Sequence, residues 1–526
     1  WPFRKSVKRK LLFKLTGKNN LNKESLAQRM MKIVIWNFIG QVWMVILGFF
    51  ATPFIVRSLK VELYGIYALI GVIIGYFSFL QFGLGTAQVK YISEYYAIKE
   101  TEKIRRTFWV CIIVYSVMGF IGTVSIFSLS HYLTFNVFKI SLALAGTAVF
   151  VLKLGSLGFL ISMVMSVLTG VFQAVGRFDV LNRVGIILGT LQIGLTVLFL
   201  KLGFSIKEVI IINLLVQVLG VYILWGRVRK ILPYLSHPVW DTKRLVDLFK
   251  FGGFVTVSSV MGPILLNIEK LFLTSLRPIN SLAYYSVPFG LMDKLTVIRS
   301  SFSAVLFPAF SSQQQASDQK LNAELHERSS HYIIFLYSFF VLFFMILGKE
   351  FLGAWIGADF AFNSWRILLI LSWAGLVNAL AVPSLNALQG LNKPHIPALF
   401  YVIETILYVP CAYFLIARFG GSGAALAWLL RVSLDTSLLT WASCRFFKKS
   451  LLKWYGLILS RVFFPFLLSA LGLWGLKNLG LRFFSFINLA GILCLFLSYC
   501  FIVWKWSFDD FARMRIRELI KERLGK

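Results

Sequence analysis

Apolar residues arrive in long unbroken runs, parted by short polar stretches. Residues 33–56 and 63–85 are two such runs, each longer than the roughly 20 residues that carry a helix across a bilayer. Lipid offers no water to backbone N–H and C=O groups, so these runs must be helical. The same pattern predicts fourteen spans, near 33–56, 63–85, 108–130, 148–172, 180–200, 207–226, 251–276, 282–308, 332–350, 365–388, 396–417, 421–444, 456–476 and 484–504. The fold class is an all-α integral membrane protein. Two spans carry conspicuous charges: Lys153 in the fourth, and Asp293, Lys294 and Arg299 in the eighth.

Composition agrees. Hydrophobic residues make up 58% of the 526, charged residues only 14%, and the mean hydropathy is +0.77. A soluble chain carries about a quarter charged residues. The net charge of +32 would suit a nucleic-acid binder, but its distribution excludes that reading. With the N-terminus in the cytoplasm, 37 Lys and Arg fall on the cytoplasmic side, 11 in the opposite loops and 6 within spans, out of 54. That is the positive-inside bias of a membrane protein, and it suits anionic lipid headgroups without any nucleic acid. Both termini are therefore expected in the cytoplasm. The first apolar run is too long for a signal-peptide core and follows a basic arm over 1–32, so it reads as a retained first helix. The five cysteines sit in apolar runs without metal-ligand spacing and read as small core residues.

A phrase repeats along the chain. Ser58-Leu59 matches Ser275-Leu276, Gln173 matches Gln389 and Gly203 matches Gly420, each about 217 residues apart. Six spans separate the copies, so both enter the membrane in the same direction, as a parallel repeat. The predicted organisation is two pseudo-symmetric six-helix lobes, over 33–228 and 249–445, joined by a basic linker over 229–248. A trailing helix pair follows over 456–504. In the tail, 505–526, Phe508, Ala512, Ile516 and Ile520 recur at helical spacing among Arg and Lys, which predicts an amphipathic helix on the cytoplasmic membrane surface.

Ionisable groups inside spans are costly and point to function. Lys294 and Arg299 have only Asp293 nearby, and Lys153 has no acid in its span. Unpaired cations between two lobes predict a water-filled cavity that receives an anion, with phosphate suited to Arg. Lys270, beside Glu269, is a further candidate. Glu269, Asp293, Glu404 and Asp435 are the acids able to carry a coupling ion. Arg431 and Asp435, four residues apart, are expected to pair on one helix face. No Gly-x-x-x-x-Gly-Lys-Ser/Thr loop and no His-Glu-x-x-His occurs, so neither a nucleotide site nor a catalytic metal is expected, and no cofactor. Nothing in the pattern is catalytic.

At "LKVELYGIYALIGVIIGYFSFLQFGLGTAQVKYISEYYA", residues 59–97, the chain resembles the polysaccharide flippases (Wzx type) of the multidrug/oligosaccharidyl-lipid/polysaccharide exporter superfamily. Tyr64-Gly65 and Gly83-Leu84-Gly85 stand at that family's positions. Glu269-Lys270, Tyr284-Tyr285 and "VLFPAFSS" (305–312) resemble its later motifs, with Glu269 where the family more usually has Asp. The resemblance implies a flippase that moves undecaprenyl-pyrophosphate-linked oligosaccharide, such as an O-antigen repeat, across a bacterial inner membrane by alternating access. Lys294, Arg299, Lys153 and Lys270 would then meet the headgroup. Coupling to Na+ or H+, and association with a polysaccharide polymerase and its chain-length machinery, are further implications. A lipid II flippase and a multidrug exporter of the same superfamily remain alternative readings. A twelve-span facilitator would carry an Asp-Arg loop after span two, which is missing here.

Overall fold

The computed structural model describes residues 26–81, 83–235, 237–313, 319–478 and 485–506, and every regular element among them is helical. The chain up to residue 25 and the tail from residue 507, with its expected surface helix, lie outside the described residues. The described residues of the fourteen apolar runs are largely helical, though runs and helices do not correspond one to one. Spans one and two are the two arms of α1 (Leu26–Phe77), which meet at Lys60, whose φ of 60° and ψ of 162° break the helix. A 3-10 turn (Ser78–Gln81) and Gly83, at φ 63°, lead into the short α2 (Leu84–Ala97). Spans three to six are α3 (Thr101–Tyr132), α4 (Leu142–Val175), α5 (Phe178–Lys201) and α6 (Ile206–Ile231). After α7 (Thr242–Leu276) come α8 (Asn280–Asp293), α9 (Thr296–Gln313), α10 (Gln319–Trp355) and α11 (Ala358–Gly390). Spans eleven and twelve share α12 (His395–Phe446), broken at Gly420 with φ 57° and ψ −132°. The trailing pair is α13 (Leu451–Asn478) and α14 (Phe486–Trp506).

Local chemistry accounts for the ends. "SIKE" opens α6 as a capping box: the Ser205 backbone N–H donates to Glu208 (2.8 Å), and Ser205 Oγ accepts from the Lys207 N–H (3.3 Å). The Ser205 hydroxyl also donates to the Glu208 carboxylate at 2.6 Å. Asp241 caps α7 by accepting from the Arg244 N–H at 3.1 Å. Gly176 (φ 74°), Gly203 (φ 87°) and Asn392 (φ 64°) take the left-handed conformation that lets a helix stop.

One expectation needs correcting. Span eight, read as continuous over 282–308, is two helices, α8 and α9, meeting at Lys294–Leu295. The backbone tightens there, the Leu295 N–H bonding the Met292 carbonyl at 3.1 Å and the Ile298 N–H bonding the Leu295 carbonyl at 3.0 Å. That carbonyl also accepts the Tyr337 hydroxyl at 2.7 Å, and Thr296 Oγ1 donates to Asp293 at 3.3 Å. Shortened backbone bonds, with one side-chain hydroxyl added, keep the polar groups of the break satisfied, which is what makes it tolerable at membrane depth.

Packing falls into two groups. The larger apolar cluster joins the second arm of α1 to α3, α4 and α6 around Phe108, Phe159 and Phe172. A second cluster joins α7, α8, α10, α11 and α12 around Leu273, Leu352, Leu371 and Val432. The trailing pair docks on α10: Leu473 packs with Leu342 and Leu347, and Tyr499 stacks on Phe335 at 4.6 Å while donating to its carbonyl at 2.9 Å. Large apolar side chains such as Phe50, Phe120, Tyr222 and Phe414 point outward, as a lipid-facing surface requires.

Candidate functional site

A groove of about 470 Å³ opens where the first arm of α1, the start of α5 and the α8–α9 break meet. Gly40 and Met44 form one wall, Asn182 and Ile186 the second, and Lys294 and Val297 the third. Small residues make the approach possible. An added Cβ at Gly48 would stand 2.9 Å from Lys294 Nζ, and one at Gly40 would stand 2.8 Å from Ile186. Among the described residues no carboxylate pairs with Lys294, and the Asn182 side-chain N–H₂ has no bonding partner. A lysine and an amide facing unfilled space inside an apolar bundle form an anion-receptive surface.

The break also decides the direction of Arg299. It is held by neutral hydroxyls, donating to Thr296 Oγ1 at 2.9 Å and to Tyr337. It does not line the groove, whereas the exposed Asp293 does, beside Lys294.

The other predicted residues stand elsewhere. Lys153 lies over the Phe127 ring at 4.9 Å, on the α3–α4 side. Lys270 lies over Phe289 at 4.3 Å and donates to Asn267 Oδ1 at 3.1 Å. Glu269, next to it, is fully buried and turns the other way, accepting from Tyr408 at 3.0 Å and from Tyr285 at 3.4 Å.

Arg431 differs from expectation as well. Its ion pair is with Glu404 on the other arm of α12, at 4.0 Å, and it lies over the Tyr408 ring at 5.6 Å. Glu404 is fully buried beside Asp435, and neither of its oxygens has a hydrogen-bond partner among the described residues. Glu269, Tyr408, Arg431, Glu404 and Asp435 thus form one connected polar network. The tyrosines joining it carry no charge, so sequence inspection for in-span charges passed them over.

At the end of the bundle opposite the basic loops, Arg57 of α1 donates to the carbonyls of Ile356 (2.6 Å), Trp355 (3.0 Å) and Ala354 (3.3 Å). Trp355 Nε1 returns a bond to the Phe49 carbonyl at 3.1 Å, and the two rings stack at 5.1 Å. These contacts tie the first arm of α1 to the end of α10.

A family model described as "Polysaccharide biosynthesis protein" matches residues 30–314, more than half of the chain. The chain belongs to that family. A relative of this family member in Shigella flexneri, named "Putative O-antigen transporter", is 24% identical over 417 residues, covering 78% of this chain and 97% of its own length. One from Haloferax volcanii, named "Probable low-salt glycan biosynthesis flippase", is 25% identical over 246 residues, 46% of this chain and 50% of its own. Among solved structures, the lipid II flippase MurJ in an inward closed conformation superposes with a TM-score of 0.70 at 13% identity, covering 90% of this chain and 99% of its own. At that identity the likeness concerns the fold, and it is a transporter fold. The sequence resemblance to superfamily flippases therefore holds at the level of family and architecture.

Proposed function

We propose that the protein is a polysaccharide flippase that carries undecaprenyl-pyrophosphate-linked oligosaccharide from the cytoplasmic to the outer leaflet of a bacterial inner membrane, and performs no chemistry on it. The observation that carries the reading is the unpaired Lys294 ammonium facing the groove between α1, α5 and the α8–α9 break. A pyrophosphate is the anion such a cargo presents, while its lipid tail stays in the bilayer. Arg299, one turn beyond, offers a fork for the same group once the neutral hydroxyls release it. Lys153 and Lys270, each held over an aromatic ring, take a lesser part.

The family and its named relatives support the glycan assignment. Transport proceeds by rocking two six-helix lobes about the groove. Corresponding left-handed positions, Gly176 with Asn392 and Gly203 with Gly420, support the repeat behind those lobes. The bias of Lys and Arg supports cytoplasmic termini. The Glu269–Glu404–Asp435 network is the candidate coupling site for H+ or Na+, because a shared proton or small cation removes the repulsion between neighbouring carboxylates. Polymerase and chain-length proteins are the expected partners outside the bilayer.

A multidrug exporter moving organic cations is disfavoured, since a cation entering the groove would meet Lys294. A lipid II flippase shares the fold, and cargo tests separate the two. Replacing Lys294 or Arg299 by Ala removes a charge-assisted bond worth roughly 1.5–3 kcal/mol, about ten- to a hundredfold in headgroup affinity. Arg299→Lys recovers only part. The measurement is transport of lipid-linked glycan into proteoliposomes per folded molecule. Unchanged transport in both Ala variants ends the headgroup assignment.

A further inference from the structure

A second cavity, of about 270 Å³, lies within the first helix group between the second arm of α1, α4, α5 and α6. Tyr67, Gln192, Asn213 and Gln217 face it, with Gly71 and Gly158 leaving the space open. No charged residue lines it. Asn213 is engaged by Thr196 Oγ1 at 3.4 Å and by Tyr67. The Gln192 and Gln217 amides bond no group among the described residues. Uncommitted amides in spans default to a functional reading, because each has two donors and an acceptor that hydrocarbon cannot satisfy.

The pocket is placed relative to the groove by α5. Gly185 lines the groove and Gln192 lines the pocket. Gly189 lies between them on the same helix face, with the Met44 methyl 2.4 Å from where its Cβ would be. Seven residues of helix put the two sites about 10 Å apart along the axis. A ligand spanning both would have an anionic group at Lys294 and, next to it, a neutral group rich in hydroxyls.

The geometry points to a glycan subsite: the pocket of Tyr67, Gln192, Asn213 and Gln217 receives the sugar ring adjoining the phosphate of the cargo, recognised through its hydroxyls. This rests on the flippase reading above. Amides and a phenol both donate and accept, as hydroxyls do, whereas a phosphate or an ammonium would find no countercharge there. The volume falls just under the roughly 300–1,000 Å³ of pockets that hold drug-sized ligands, so it takes one ring and not a whole oligosaccharide.

The test compares two probes on the purified full chain in detergent: farnesyl pyrophosphate, and the same lipid carrying one N-acetylglucosamine on its terminal phosphate. Wild type is expected to bind the sugar-bearing probe more tightly. Gln192→Leu and Gln217→Leu each reduce that sugar increment about five- to tenfold, the effect of one neutral hydrogen bond or slightly more. Gly71→Leu fills the pocket, since a Cβ there meets nothing within 4 Å, and abolishes the increment. All three keep wild-type affinity for farnesyl pyrophosphate, which also reports intact folding. An increment that survives in all three variants overturns the subsite, as does equal loss of both probes. Failure of wild type to bind either probe strikes the flippase reading itself.

Discussion

If the bundle opens by the rocking proposed above, Arg57 is a contact that restrains it. Its guanidinium reaches three successive carbonyls at the end of α10, groups that have no helical partner of their own. Arg57→Ala leaves them to water and removes a cation from a helix C-terminus. Bonds to a charged donor contribute about 1.5–3 kcal/mol, and the side chain is partly exposed, so the three together are taken as about 2 kcal/mol. If this contact holds the far end of the bundle shut, its loss shifts the equilibrium toward the open end about thirtyfold. Spin labels at Leu142 on α4 and Phe362 on α11, both exposed and both near that end, read the change as a longer-distance population in lipid. Arg57→Lys keeps the charge without the fork and shows an intermediate distribution. Trp355→Phe keeps the stacking, loses the bond to the Phe49 carbonyl and moves the same way by less. A distance distribution unchanged in Arg57→Ala, at normal membrane abundance, refutes the idea that this contact sets the balance.

Glu404→Gln and Asp435→Asn each remove one charge from the buried network; uptake driven by an imposed H+ or Na+ gradient falls in both, while gradient-free exchange is retained. Equal loss of the two activities removes the coupling role. Lys60 sits in a backbone region that glycine alone occupies freely, so Lys60→Gly relieves about 1–3 kcal/mol of strain, and thermal unfolding in detergent moves upward. Ser205→Ala removes the cap of α6 and costs about 1 kcal/mol, read as a lowered unfolding midpoint.

Much of the architecture was determined by residue order alone. A run of twenty apolar residues in lipid has only the helix open to it, so the spans could be read without knowing what they touch. Local signals of the same kind, Ser205 with Glu208 and the glycines at 176, 203 and 420, mark where helices begin and stop. The in-span charges were equally visible, but their partners were not. Arg431 and Asp435 share a helix face, yet Arg431 pairs with Glu404, because the break at Gly420 folds α12 back on itself. Lys294 and Lys270 read alike along the chain. One faces an open groove and the other is spent on Asn267 and a Phe289 ring, and Lys153 is drawn to Phe127. Span eight reads as one helix and is two; Tyr337, some forty residues on, adds a second bond to the Leu295 carbonyl at the break, a contact that no local pattern announces. Backbone bonding in lipid is a local demand, which the sequence states span by span. Charge compensation depends on which helix lies alongside, and only the tertiary structure decides that.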